Sequence, residues 1–227
     1  MQPVAFFDVD GTLFRSSLLI ELTERLIEEE IFPDTARIEY EDEFEAWRNR
    51  EGSYEDYIDA VVRSFIKHIK GVYYGDLADI GRQVVARAGR RNYLYTINLI
   101  KELKEKNYFL VAISQSPKSI LDDYCRQYGF DKVYGRIYEI GPQDHLTGVV
   151  EEEHLIANKA NIVARVFDNE VFNRDSSIGI GDTEGDITLL ESVDRAICFN
   201  PNQKLYDYAK QMDWEVVVER KNVIYKL

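Results

Sequence analysis

A chain of 227 residues, 45% apolar and 12% aromatic, can bury a real core as one large domain or as a domain carrying an insertion. Its formal net charge of −13 argues against a nucleic-acid backbone as partner, because proteins that bind one carry basic patches. No stretch approaches the roughly 18 consecutive apolar residues of a membrane span.

The first apolar run, residues 4–7, reads as a buried strand and leads directly into Asp8-Val9-Asp10-Gly11-Thr12. Two carboxylates one residue apart at a strand end fit either a turn or a ligand site, since ligands of parallel sheets bind at that edge. Residues 15–91 then contain no convincing strand and at least three helical patterns. One runs through Leu18, Leu19, Leu22 and Leu26, and the clearest through Ile58, Val61, Val62, Phe65, Ile66 and Ile69. The acidic clusters at 28–30, 39–45 and 151–153 read as solvated faces.

The α/β pattern resumes after this insert. Apolar runs at 108–113, 177–181, 195–199 and 214–218 read as further buried strands. Helical patterns lie between them, such as Leu155, Ile162, Val163 and Val166. The expected fold is therefore α/β: a three-layer, Rossmann-like parallel-sheet core formed by residues 1–14 and 92–227. Residues 15–91 are expected to form an inserted all-helical cap.

Two other strands end in polar residues, and neighbouring parallel strands would bring them to Asp8. The first ends in Ser114-Gln115-Ser116-Pro117, where Ser116 is a good helix cap with Pro at the first helical position. That helix N-terminus suits an anion, but taken alone it reads more simply as a helix cap. The second ends in Asp182 and Asp186, four apart, which fit either Mg²⁺ ligation or helix capping. Lys159 falls in the apolar stripe between Leu155 and Ile162, so it must snorkel or meet a buried negative charge. His68, His145 and His154 share no metal or triad spacing. Cys125 and Cys198 lack metal-type spacing, and the N-terminal stretch does not read as a signal peptide, so a cytoplasmic location is expected.

Taken together, "DVDGTLF", "ISQS", "NKANIV" and "GDTEGD" resemble the four motifs of the haloacid dehalogenase-like hydrolases, in order and context. "LTG" at 146–148, the insert position and "CFNPNQKL" point to the phosphoserine-phosphatase-like branch. The resemblance implies a Mg²⁺-dependent phosphatase acting on a small organic phosphomonoester through an aspartyl-phosphate. Asp8 would be the nucleophile and Asp10 the general acid and base, with Gly11 and Thr12 letting the backbone turn sharply after them. Ser114, Gln115 and Lys159 would hold the phosphoryl group. Asp8, the Asp10 carbonyl and Asp182 would hold the metal, with Asp186 in support. Ser17 and Arg63 are cap candidates for the leaving group. Ser17, Gln115 and Gly185 depart from the branch's pattern at positions where that group should sit, which separates the substrate question from the reaction class. A phosphotransferase using the same intermediate, or a non-catalytic phosphate-binding or regulatory protein of this fold, are the alternative readings.

Overall fold

The computed structural model describes residues 1–169 and 171–227. Strand β1 (Gln2–Asp8) is followed by four helices: α1 (Leu18–Glu28), α2 (Thr35–Arg48), α3 (Tyr54–Ile69) and α4 (Tyr74–Ala88). Helix α5 (Leu94–Glu105) then leads into β2 (Phe109–Pro117), α6 (Lys118–Arg126), β3 (Lys132–Ile140) and β4 (Leu146–Glu151). The chain continues through α7 (Glu153–Ile156), α8 (Lys159–Asn169), β5 (Phe172–Gly181) and α9 (Ile187–Leu190). It ends with β6 (Arg195–Phe199), α10 (Gln203–Met212), β7 (Glu215–Arg220) and β8 (Val223–Lys226).

The strands form one eight-stranded sheet in the order β4-β3-β2-β1-β5-β6-β7-β8. Its six inner strands are parallel and the two edge strands antiparallel. Side chains alternate across β1, as the period of a strand requires. Ala5 and Phe7 join a buried cluster with α1, α3, α4 and α6, while Val4 and Phe6 join a second cluster with α8, α9 and α10. A sheet buried on both faces explains the continuous apolar runs of its central strands. Among the described residues, no helix is long and apolar enough to cross a membrane.

Strands β3, β4 and β8 had no counterpart in the apolar-run reading. All three are edge or near-edge strands, with β3 mostly half-buried and β8 exposed throughout, so their sequences lack a buried strand's unbroken apolar run. Two local expectations are corrected. β2 continues to Pro117, which itself occupies the N-cap of α6, so Ser116 is a strand residue and not the cap. The stripe from Leu155 to Val166 is not one helix: it breaks between α7 and α8, where the Asn158 side chain accepts from the Ala160 N–H. Lys159 therefore opens α8 instead of sitting mid-helix.

Candidate active site

Parallel pairing of β1 with β2 and β5 brings three carboxyl ends together, with Asp8 opposite Ile113 and Phe7 opposite Ile180. The loop after β1 turns sharply. Gly11 has φ +85° and donates its N–H to the Phe14 and Ser16 carbonyls. A Cβ at Gly11 would collide with the Asp182 carboxylate, so only glycine lets the two loops approach this closely. Thr12 Oγ1 then donates to Asp182 Oδ1 at 3.1 Å.

Asp8 is 4% exposed. Lys159 Nζ donates to its Oδ1 at 2.5 Å and also to Asp186 Oδ1. Oδ2 of Asp8 is buried with no hydrogen-bond partner among the described residues. Asp186 uses Oδ2 to accept from the N–H groups of Asp182 and Thr183, at 3.0 and 3.1 Å, which fixes the loop after β5. Carboxylate oxygens of Asp8, Asp182 and Asp186 lie within 4.8 Å of one another.

Asp10 is held from three sides. Its Oδ1 accepts the Leu18 N–H at 2.5 Å, the first backbone donor of α1. Its Oδ2 accepts the Ser114 hydroxyl and, at 2.8 Å, the Ser116 hydroxyl. Ser116 Oγ in turn accepts the Leu19 N–H at 3.1 Å. Ser116 thus orients Asp10, a task the sequence reading missed by assigning it to a cap.

Burial dominates the electrostatics. It raises the Asp8 carboxyl to about 7, with Asp186 and Asp10 adding to the rise and Lys159 opposing it. Asp182 is pushed well above the ordinary carboxylate value by burial and then by the charges of Asp8 and Asp186. Asp10 is also raised by burial, against the pull of Ser114, the Leu18 N–H and Ser116. Burial works against the Lys159 ammonium, but Asp186 and Asp8 outweigh it and hold its pKa above the lysine norm. One cation among two buried carboxylates and a half-buried third leaves the cluster short of positive charge.

A cavity of about 150 Å³ opens over these groups and brings together Asp8, Asp10, Ser114, Lys159 and Asp182. Ser17 and Gln115 also line it, whereas Arg63 does not: it is exposed and faces Glu43 at 3.7 Å. Tyr54, Glu55, Ile58, Asp59 and Val62 of α3 complete the wall. Sequence reasoning missed Tyr54, Glu55 and Asp59. The available signal was their position on the same turns as the α3 apolar stripe, together with Ser53 and Asp56 as a helix-start signature.

The family model for haloacid dehalogenase-like hydrolases matches residues 5–191. No curated protein matches the chain. Among solved structures, the chain is similar to a protein of unknown function from Bordetella pertussis Tohama I, at 18% identity and TM-score 0.75, covering 95% of this chain and 98% of that one. It is also similar to phosphoserine phosphatase in apo form, at 19% identity and TM-score 0.67, covering 98% and 96%. A phospho-aspartyl intermediate analogue of phosphoserine phosphatase matches at 20% identity and TM-score 0.63, covering 97% and 95%.

Proposed function

Since the chain belongs to the haloacid dehalogenase-like hydrolases, we propose that it is a Mg²⁺-dependent phosphatase that hydrolyses a small phosphomonoester through an aspartyl-phosphate on Asp8. The observation that carries this reading is the Asp8 carboxylate on the cavity wall, with one oxygen held by Lys159 and the other buried and without a partner among the described residues. A similar solved structure is a phospho-aspartyl intermediate analogue of phosphoserine phosphatase.

The residues fit the metal. The cluster, short of positive charge, offers carboxylate oxygens, which suit Mg²⁺ with one or two carboxylates and substrate phosphate. Asp8, the Asp10 carbonyl and Asp182 would hold it. Asp186, already committed to Lys159 and two backbone N–H groups, supports them from behind. When bound, the ion would neutralise carboxylate and phosphoryl charge.

Asp8 Oδ2 attacks phosphorus as the bond to the leaving oxygen breaks. Asp10, with a carboxyl pKa raised by burial, gives its proton to that oxygen. Asp10 then takes a proton from water as the water attacks the aspartyl-phosphate, releasing inorganic phosphate and restoring Asp8. Ser114, Gln115 and Lys159 hold the phosphoryl oxygens, and Lys159 also orients Asp8. The helices of residues 15–91 act as a cap that shields the phosphoryl-transfer step from bulk water and admits the single water that attacks in the second step.

Phosphate release from a panel of small esters, with Mg²⁺ or with chelator, tests this. Metal-dependent turnover by the wild type and its loss in Asp8→Asn are expected. A folded, Mg²⁺-loaded protein inactive on every ester would overturn the proposal.

A further inference from the structure

The cavity's size and wall restrict what can leave with the phosphate. At about 150 Å³ it falls below the roughly 300–1,000 Å³ of pockets for drug-sized ligands. Beyond the groups assigned to the phosphoryl moiety, the wall is largely one face of α3. Tyr54, Ile58 and Val62 lie four residues apart and form one row, with Leu19 of α1 also on the wall. Glu55 and Asp59, each one position further along, form a parallel acidic row.

Positive charge is missing from this wall. Lys159 is the one basic residue among the described lining residues, and it is committed to Asp8 and Asp186. Arg63 faces Glu43, and Arg136 donates to Gln115 Oε1 at 2.6 Å; neither lines the cavity. Lys204 pairs with Glu184 at 2.6 Å, and Glu55 lies against that pair. Asp59 differs, because its side chain makes no hydrogen bond or ion pair among the described residues and meets only the like charge of Glu55. In the same cavity, the buried and unpartnered Asp8 Oδ2 independently marks a space built for a ligand.

We propose that this site takes phosphomonoesters of short amino alcohols, with an ammonium but no carboxylate on the leaving group, and that Asp59 holds the ammonium. The inference rests on the phosphatase reading above. The alkyl stem lies against Leu19, Ile58 and Val62, and Tyr54 on the same row supplies an aromatic ring to the cation's surroundings. A second anion on the leaving group meets Glu55 and Asp59 with no cation to receive it, so rejection comes from repulsion. Hydrolysis of such an ester cleaves one P–O bond with one water and yields the amino alcohol and inorganic phosphate.

The test compares kcat/KM for 2-aminoethyl, ethyl and carboxymethyl phosphates, with Mg²⁺, in wild type, Asp59→Asn and Asp59→Lys. Asp59 is exposed, so both variants are expected to fold, which circular dichroism checks. In the wild type, aminoethyl phosphate should exceed carboxymethyl phosphate by about tenfold or more. Asp59→Asn should narrow the aminoethyl-to-ethyl ratio about fivefold, mainly through KM, and Asp59→Lys should shift preference toward the carboxymethyl ester. Equal or better use of carboxymethyl phosphate by the wild type overturns the proposal, as does an unchanged ratio in Asp59→Asn. Ethyl phosphate turnover without discrimination leaves the phosphatase reading standing while removing this one. No turnover of any ester removes both.

Discussion

Lys159 is 7% exposed and its ammonium faces the carboxylates of Asp8 and Asp186, so replacing it leaves two buried acids without a cation. Lys159→Met should therefore cost about 3–5 kcal/mol, the range for breaking one side of a buried ion pair, and urea unfolding would measure it. A loss under about 1 kcal/mol would mean the acids simply take up protons. The apolar pattern around Lys159 flagged a buried lysine needing a negative partner. It could not name the partners, because Asp8 and Asp186 are 151 and 27 residues away in sequence and meet it only through the sheet. Ser116 was misread for a related reason: a Ser-Pro pair carries a strong local capping signal, and the tertiary hydrogen bond to Asp10 overrides it. The thiols give a second check at this scale. Both are fully buried, and burial pushes the Cys198 thiol up to about 12 and that of Cys125 higher still. Neither should react with iodoacetamide in the native protein at neutral pH, and both should react after denaturation.

Helix α3 joins core to cavity. Its buried side carries Val61, Phe65 and Ile69 into the cluster under the sheet, while Tyr54, Ile58 and Val62 face the site. The sequence shows the amphipathic stripe plainly, but periodicity only separates apolar from polar. It does not say which part of a wide stripe meets protein and which meets ligand. The helix starts with a capping box, in which Ser53 Oγ accepts the Asp56 N–H at 3.0 Å and the Asp56 carboxylate reaches back to Ser53. Ser53→Ala should lower stability by about 1 kcal/mol, read from the urea midpoint. It should also raise KM, because the frayed first turn carries Tyr54 and Glu55. A KM unchanged alongside the stability loss would show that the first turn does not shape the pocket. Edge strands illustrate the opposite limit of legibility. The sequence "VIYK" of β8 is exposed at all four positions, and its pairing to β7 is a backbone matter on which a hydrophobicity pattern is silent.

Across the whole molecule, the charge of −13 sets a negative field through which the proposed phosphate ester would approach. The motifs pointed to Lys159 and a proposed metal as the local remedy. The depth of the burial, and with it the strength of those local charges against the global one, became visible only in three dimensions. The balance can be tested with salt. Raising ionic strength from about 0.01 to about 0.15 M shortens the Debye length from about 30 Å to about 8 Å, which screens the distant acidic surface far more than the buried cluster. For ethyl phosphate, kcat/KM should therefore rise, by less than about tenfold, while kcat stays nearly constant. For aminoethyl phosphate the rise should be smaller, because its ammonium offsets part of the repulsion on approach. A fall in kcat/KM with salt for both esters would mean that the cavity mouth attracts anions despite Glu55 and Asp59, and that the acidic surface has no hold on the rate of encounter.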